Sequence, residues 1–205
     1  MNNENQKPVI FLAFANEQEQ RLHYLRKLPD ESRNLRRSLE QAEEKGLCRL
    51  EVRTNATLDD CLEVLRKYRN RIAVFHFGGH ADCYRFLFEG EAGKRAEIDA
   101  KGFAALLGEQ TGLQLVFLNA CATQEQVHGL QEVGVPVVIA TSCDILDEVA
   151  TEFAVQFYKG LASGVGFIGS SSMGGIRRQS IWLQYESTVV GMENAFILTT
   201  GQLSY

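Results

Sequence analysis

Val74-Phe75-His76-Phe77-Gly78-Gly79-His80-Ala81-Asp82 and Leu115-Val116-Phe117-Leu118-Asn119-Ala120-Cys121-Ala122-Thr123 are the two stretches whose reading decides the fold. Each is an apolar run of the length of a buried strand, and each stops at a reactive side chain, His80 in the first and Cys121 in the second. A parallel sheet carries its sites at the carboxyl ends of its strands. Two such endings can set an imidazole beside a thiol.

Working outward, strands alternate with helical patterns. Residues 9–15 form an apolar run suited to a central strand, residues 49–53 alternate as a second, and residues 72–77 lead to His80 as a third. Residues 17–45 are charged, with Leu22, Leu25, Leu28, Leu35 and Leu39 at roughly helical spacing. Pro29 with Asp30 divides them into two helices, the second ending near Gly46. We read this run as a solvated face; Arg33, Arg36 and Arg37 are offset by Glu31, Glu40, Glu43 and Glu44. Thr57 is an N-cap for a helix with Leu58, Cys61, Leu62 and Leu65 on one stripe.

Residues 84–88 and 95–98, joined by a glycine-containing turn, read as a small β-hairpin. Asp99 caps a short helix. Residues 115–118 are the fourth strand, residues 124–132 a helix and residues 135–141 a fifth strand. Asp147 is read as the N-cap of a helix over 148–162. A further helix is expected within 166–185 and a last strand over 195–200. This order implies an α/β architecture around a mainly parallel sheet, with residues 1–205 as a single domain.

Composition narrows the function classes. A net charge of −5 gives no general attraction to nucleic acid or to an acidic membrane surface. There is no targeting segment and no apolar run of membrane-span length, so the cytoplasm is the default compartment. Five scattered cysteines (Cys48, Cys61, Cys83, Cys121, Cys143) lack the spacing of a zinc or redox site, and no cofactor or metal is implied. The string Gly164-Val165-Gly166-Phe167-Ile168-Gly169 fits a dinucleotide fingerprint, but a helical pattern precedes it where the fingerprint requires a strand.

A thiol has a free pKa of about 8.5, and a neighbouring imidazole activates it by lowering that value or by taking the proton during attack. Gly78-Gly79 permits a close backbone approach before His80, and Ala120 and Ala122 leave room around Cys121. Acyl transfer also needs N–H donors aimed at a developing oxyanion, for which the backbone of Cys121 and of Gly79 or Ala81 are candidates. On residue chemistry alone, a hydrogen-bonded loop histidine and a structural thiol carry more weight than a catalytic pair.

The two motifs together resemble the caspase-like cysteine peptidase clan, and within it the CHAT family. They correspond to its H-F-x-G-H-type and x-A-C endings, here His76-Phe77-Gly78-Gly79-His80 and Leu118-Asn119-Ala120-Cys121. The similarity continues through residues 134–141, 147–150, Phe153, Phe157-Tyr158 and 161–164, covering about residues 9–184. The resemblance implies a three-layer α/β/α sandwich and a cysteine endopeptidase acting on a protein or peptide substrate. It makes His80 the general base or acid, Cys121 the nucleophile, and the N–H groups of Cys121 and Ala81 the oxyanion donors. Asn119 would help wall the substrate pocket, and Asp144 or Asp147 would favour a basic side chain there.

Two departures matter. Many relatives have glycine where this chain has Ala81, which does not easily reach positive φ, and the Trp that many relatives place near residues 142–144 is missing. Relatives often belong to longer regulated chains, so control by a partner or by adjoining sequence is implied. The alternatives are a catalytically silent signalling or scaffold domain, favoured by Ala81, and a thiol esterase or amidase, disfavoured by the lack of a G-x-S-x-G-like elbow around Cys121.

Overall fold

The computed structural model describes residues 7–16, 25–82, 84–90, 95–120, 123–141 and 147–163 (of Gln124 the backbone only), and the backbone of 196–200. The expected helix within 166–185 and the glycine string at 164–169 lie outside the described residues.

The sheet is built from β1 (Val9–Phe14), β2 (Arg49–Thr54), β3 (Ile72–Gly78), β7 (Leu115–Asn119), β8 (Val137–Thr141) and β9 (Phe196–Thr200), in the order β2-β1-β3-β7-β8-β9. The first five are mutually parallel, and β9 runs antiparallel to β8. A second, three-stranded antiparallel sheet holds β4 (His80–Ala81), β5 (Arg85–Glu89) and β6 (Arg95–Asp99). The hairpin read from sequence is β5–β6, and β4 extends it by pairing the histidine motif onto its edge.

β1, β3 and β7 are buried at every position, as strands covered on both faces must be. Side chains alternate between the two layers: Val9, Phe11 and Ala13 of β1 face one core, Ile10, Leu12 and Phe14 the other. Helices α2 (Leu58–Lys67), α3 (Ala100–Gly108) and α4 (Gln124–Glu132) cover the first face, and α1 (Leu28–Glu44) with α5 (Asp147–Ala162) the second. The architecture is therefore an α/β/α sandwich, in three layers as the resemblance implies.

The local signals act as read, with two refinements. Thr57 and Asp60 form a reciprocal capping box on α2, and Asp99 accepts from the Gly102 N–H at 2.7 Å to start α3. Gly46 follows α1 with a φ of +71°, a left-handed stop. Pro29 sits in the first turn of α1, where a missing N–H costs nothing. Asp147, read as an N-cap, is instead the first residue of α5. Its carboxylate favours the positive end of the helix dipole from there, and its side chain is left available to the sheet rim.

Candidate active site at the carboxyl rim of the sheet

β3 and β7 are immediate parallel neighbours, with Gly78 paired to Asn119. His80 and Cys121 each follow that pair by two residues. Beyond the strands the backbones stay tied, since the Gly79 N–H donates to the Asn119 carbonyl at 3.3 Å. His80 begins β4 opposite Leu87 and is half-buried. Cys121 and Asp144 lie outside the described residues.

The two glycines before His80 are required by space. A Cβ on Gly79 would stand 2.7 Å from the Ala15 carbonyl, and one on Gly78 would stand 2.8 Å from the Phe14 ring. The chain between β3 and the imidazole therefore runs hard against the end of β1. Ala81 adopts no positive φ, so its methyl costs nothing there. Asp82 donates its N–H to the Arg85 carbonyl, and antiparallel pairs alternate between bonded and non-bonded. The Ala81–Phe86 pair is then of the non-bonded kind, and the Ala81 N–H points away from β5.

Beneath this rim lies a buried polar cluster. Glu31 of α1 is 3% exposed, and one of its oxygens accepts from two neighbouring strands: from His76 Nε2 at 3.1 Å and from Asn119 Nδ2 at 2.7 Å. Asn119 is 6% exposed. Its amide orientation is fixed by that donation, leaving Oδ1 buried with no partner among the described residues. His76 Nδ1 and the Tyr158 hydroxyl, both in the same layer, are buried and have no partner among the described residues.

Glu31 and Asn119 also line a pocket at the rim, together with Leu28, Gly79, Ala120 and Asp147. Burial pushes the Asp147 carboxyl above its usual range; the field of His80 pulls it down and that of Glu31 pushes it up. Asp147 thus senses both the imidazole and the buried carboxylate. Two acidic groups converge on one pocket next to the residues that carry the sequence motifs.

The chain matches the CHAT domain family over residues 2–189. It belongs to that family. Among solved structures it is similar to a secreted C11 cysteine protease from Bacteroides thetaiotaomicron in complex with an irreversible peptide inhibitor. The two share 13% identity at a TM-score of 0.55, over 80% of this chain and 55% of the protease. The CHAT domain thus spans little more than half of that enzyme, and the likeness is one of fold. No curated protein matches it.

Within the CHAT domain, the two free cysteines that the structure describes are unlike a nucleophile. Burial pushes the Cys61 thiol up to about 12 and the Cys48 thiol to about 11, with Asp60 and Glu43 adding to the respective shifts. Both are buried in the apolar layers, Cys61 on the α2 stripe as its spacing predicts. Among the described residues no group of three His, Cys, Asp or Glu side chains could hold a metal, and no helix is long and apolar enough to cross a membrane.

Sequence reading missed Glu31, treating it as one charge on a solvated face. The signal was present, because Glu31 lies three residues after Leu28 and four before Leu35 and so sits on the inward stripe of α1. His76 was quoted within its motif without a role. A histidine inside an otherwise apolar buried strand needs a partner, and Glu31 is that partner.

Proposed function

We propose that this CHAT domain is a cysteine endopeptidase with a His80–Cys121 dyad. The observation that carries the reading is the register of β3 against β7: Gly78 and Asn119, which precede His80 and Cys121 by two residues in the sequence, are paired across adjacent strands. In the reaction, the Cys121 sulfur attacks the scissile carbonyl and His80 accepts its proton, then delivers it to the departing amine. A thioester remains. Water then attacks it as His80 takes a proton, releasing the acid and the thiol. Both tetrahedral intermediates carry an oxyanion, received by the N–H groups of Cys121 and Ala81. The outward direction of the Ala81 N–H supports that role.

The pocket takes the substrate residue that precedes the scissile bond. Glu31, Asp147, Asn119 and Lys27 line it; the Lys27 ammonium is paired with Glu148 at 3.4 Å, and the two carboxylates favour a lysine or arginine side chain. The substrate is a protein or peptide, the setting cytosolic, and a partner or adjoining chain governs access. The alternative of a catalytically silent signalling domain draws its support from Ala81, which stays out of the positive-φ region that a glycine reaches.

The test is cleavage of a peptide library by wild type, Cys121→Ala and His80→Ala. Loss of all cleavage in both variants, with unchanged folding by circular dichroism, supports the dyad. Equal labelling of all five cysteines by a thiol-reactive peptide probe would sink it.

A further inference from the structure

The peptide linking Ala120 to Cys121 is held from its carbonyl side by two threonines on different elements. Thr141, at the end of β8, donates its hydroxyl to the Ala120 carbonyl. Thr123 stands at the N-cap of α4, yet its hydroxyl makes no capping bond. It accepts the Thr141 N–H at 3.0 Å and lies 3.1 Å from the Thr141 hydroxyl and 3.5 Å from the Ala120 carbonyl. Each hydroxyl has one proton to give. Thr141 spends its proton on Ala120, so the shorter path for the Thr123 proton leads to the Thr141 oxygen. The result is a relay from Thr123 through Thr141 to the carbonyl, each bond polarising the next. Both threonines are 0% exposed.

We infer that Thr141 and Thr123 are positioning residues that set the direction of the oxyanion donor at Cys121. The physical link is the planarity of the peptide group. In a trans peptide the carbonyl and the following N–H are antiparallel and turn together. Fixing the Ala120 oxygen fixes the plane of the peptide group that follows it, and so the line of the donor that this plane carries. A preorganised donor needs no reorientation during the reaction, and that preorganisation is the source of its effect on rate. An unused capping hydroxyl is the cost, since α4 starts without an N-cap side-chain bond.

This inference rests on the peptidase reading, and the test separates the two. Thr141→Val keeps the side-chain shape and deletes the hydroxyl, Thr141→Ser restores it, and Thr123→Val removes the outer member of the relay. The readouts are hydrolysis of a tripeptidyl-arginine aminomethylcoumarin amide, alkylation of Cys121 by iodoacetamide, and the Cys121 amide resonance in a 15N–1H spectrum. Alkylation builds no oxyanion, so it reports the thiol without the donor.

The expected result for Thr141→Val is a ~10- to 100-fold fall in kcat. KM and the alkylation rate stay unchanged, and the Cys121 amide resonance is displaced. Thr141→Ser recovers most of kcat and the original resonance, while Thr123→Val shows a smaller fall. An unmoved resonance in Thr141→Val, or full kcat beside a displaced one, overturns the inference. A wild type that cleaves nothing and alkylates no faster at Cys121 than at Cys61 defeats the peptidase reading instead; the resonance then decides the positioning claim alone.

Discussion

The two faces of the central sheet are built on opposite principles. The face covered by α2, α3 and α4 packs Phe75, Phe77, Phe86, Phe88 and Phe103 in tilted and edge-on contacts, with ring centroids 5.1–5.6 Å apart. At its margin Tyr68 donates to the buried carboxylate of Glu51 at 3.0 Å, a charge that Arg49, Arg53 and Lys67 pair. The face under α1 and α5 buries Glu31, His76, Asn119 and Tyr158 among its aliphatic and aromatic side chains. A polar group in the interior costs free energy unless it is bonded; among the described residues this face leaves three such atoms unmatched, against Gln126 Oε1 on the α4 side. The contrast teaches a division of labour. One layer supplies cohesion, and the other accepts a penalty to bring a carboxylate under the rim where the motifs emerge.

That division can be broken most forcefully at the rim itself. Cys121→Ala or His80→Ala is expected to lower peptide cleavage by roughly a million-fold, the scale on which loss of a nucleophile or its base acts in cysteine and serine hydrolases. Neither change should move the urea midpoint appreciably. The opposite dissociation is expected in the apolar layer. Phe103→Ala, which empties space in contact with Phe75, Phe86 and Phe88, should cost about 4 kcal/mol in urea unfolding. Its kcat per folded molecule should stay near wild type. If Phe103→Ala abolished turnover while folded, the two layers would not be separable.

Glu31 lies where both principles meet, and both readouts should respond. Glu31→Ala strips His76 and Asn119 of their shared acceptor and is expected to cost about 3 kcal/mol. Glu31→Gln, which keeps an acceptor without the charge, should recover part of the stability but should raise KM for arginine-ended peptides. A Glu31→Gln variant with unaltered preference between arginine- and leucine-ended peptides would argue against an acidic pocket.

A gentler probe uses the native thiols. With pKa values pushed to about 11 and 12, Cys48 and Cys61 present ~0.1% thiolate or less at pH 8. Iodoacetamide should leave both unmodified in the folded protein and label both in urea. Rapid labelling of either without denaturant would mean that its layer opens readily.

The smallest effect expected is at Asp147. Its carboxyl is raised in the folded state, so the folded form prefers it protonated. That contribution is complete below the ordinary aspartate pKa and is lost as pH rises through the higher folded value. Asp147→Asn should therefore melt slightly above wild type at pH 7, and the gap should close in melts recorded below about pH 4. A gap that persists in acid would assign the effect to something other than the charge.

Much of this organisation was legible in the chain. The apolar runs of β1, β3 and β7 identify strands buried on both faces, because a strand exposed on one side would have to alternate. Thr57, Asp99 and Gly46 announce helix ends through chemistry confined to a few residues, and such signals survive folding. The CHAT motifs of β3 and β7 pointed to the rim. Contacts across long sequence separations were illegible: Glu31 meets His76 and Asn119 only once α1 has docked on the sheet, and no pattern in residues 17–45 names those partners. The double role of Thr123 was hidden for the same reason. At an N-cap position its nearest bonding opportunity is local, and only the approach of β8 turns it elsewhere.

Consider, finally, the end of β1 behind Gly79. With the Ala15 carbonyl filling the space where even a methyl would go, the segment carrying the imidazole has a wall at its back. Any excursion of that segment is one-sided, outward to solvent and never inward. Thermal motion there can uncover the imidazole but cannot bury it. The wall is the Ala15 carbonyl together with the Phe77 ring, and any side chain at position 79 would have to displace them.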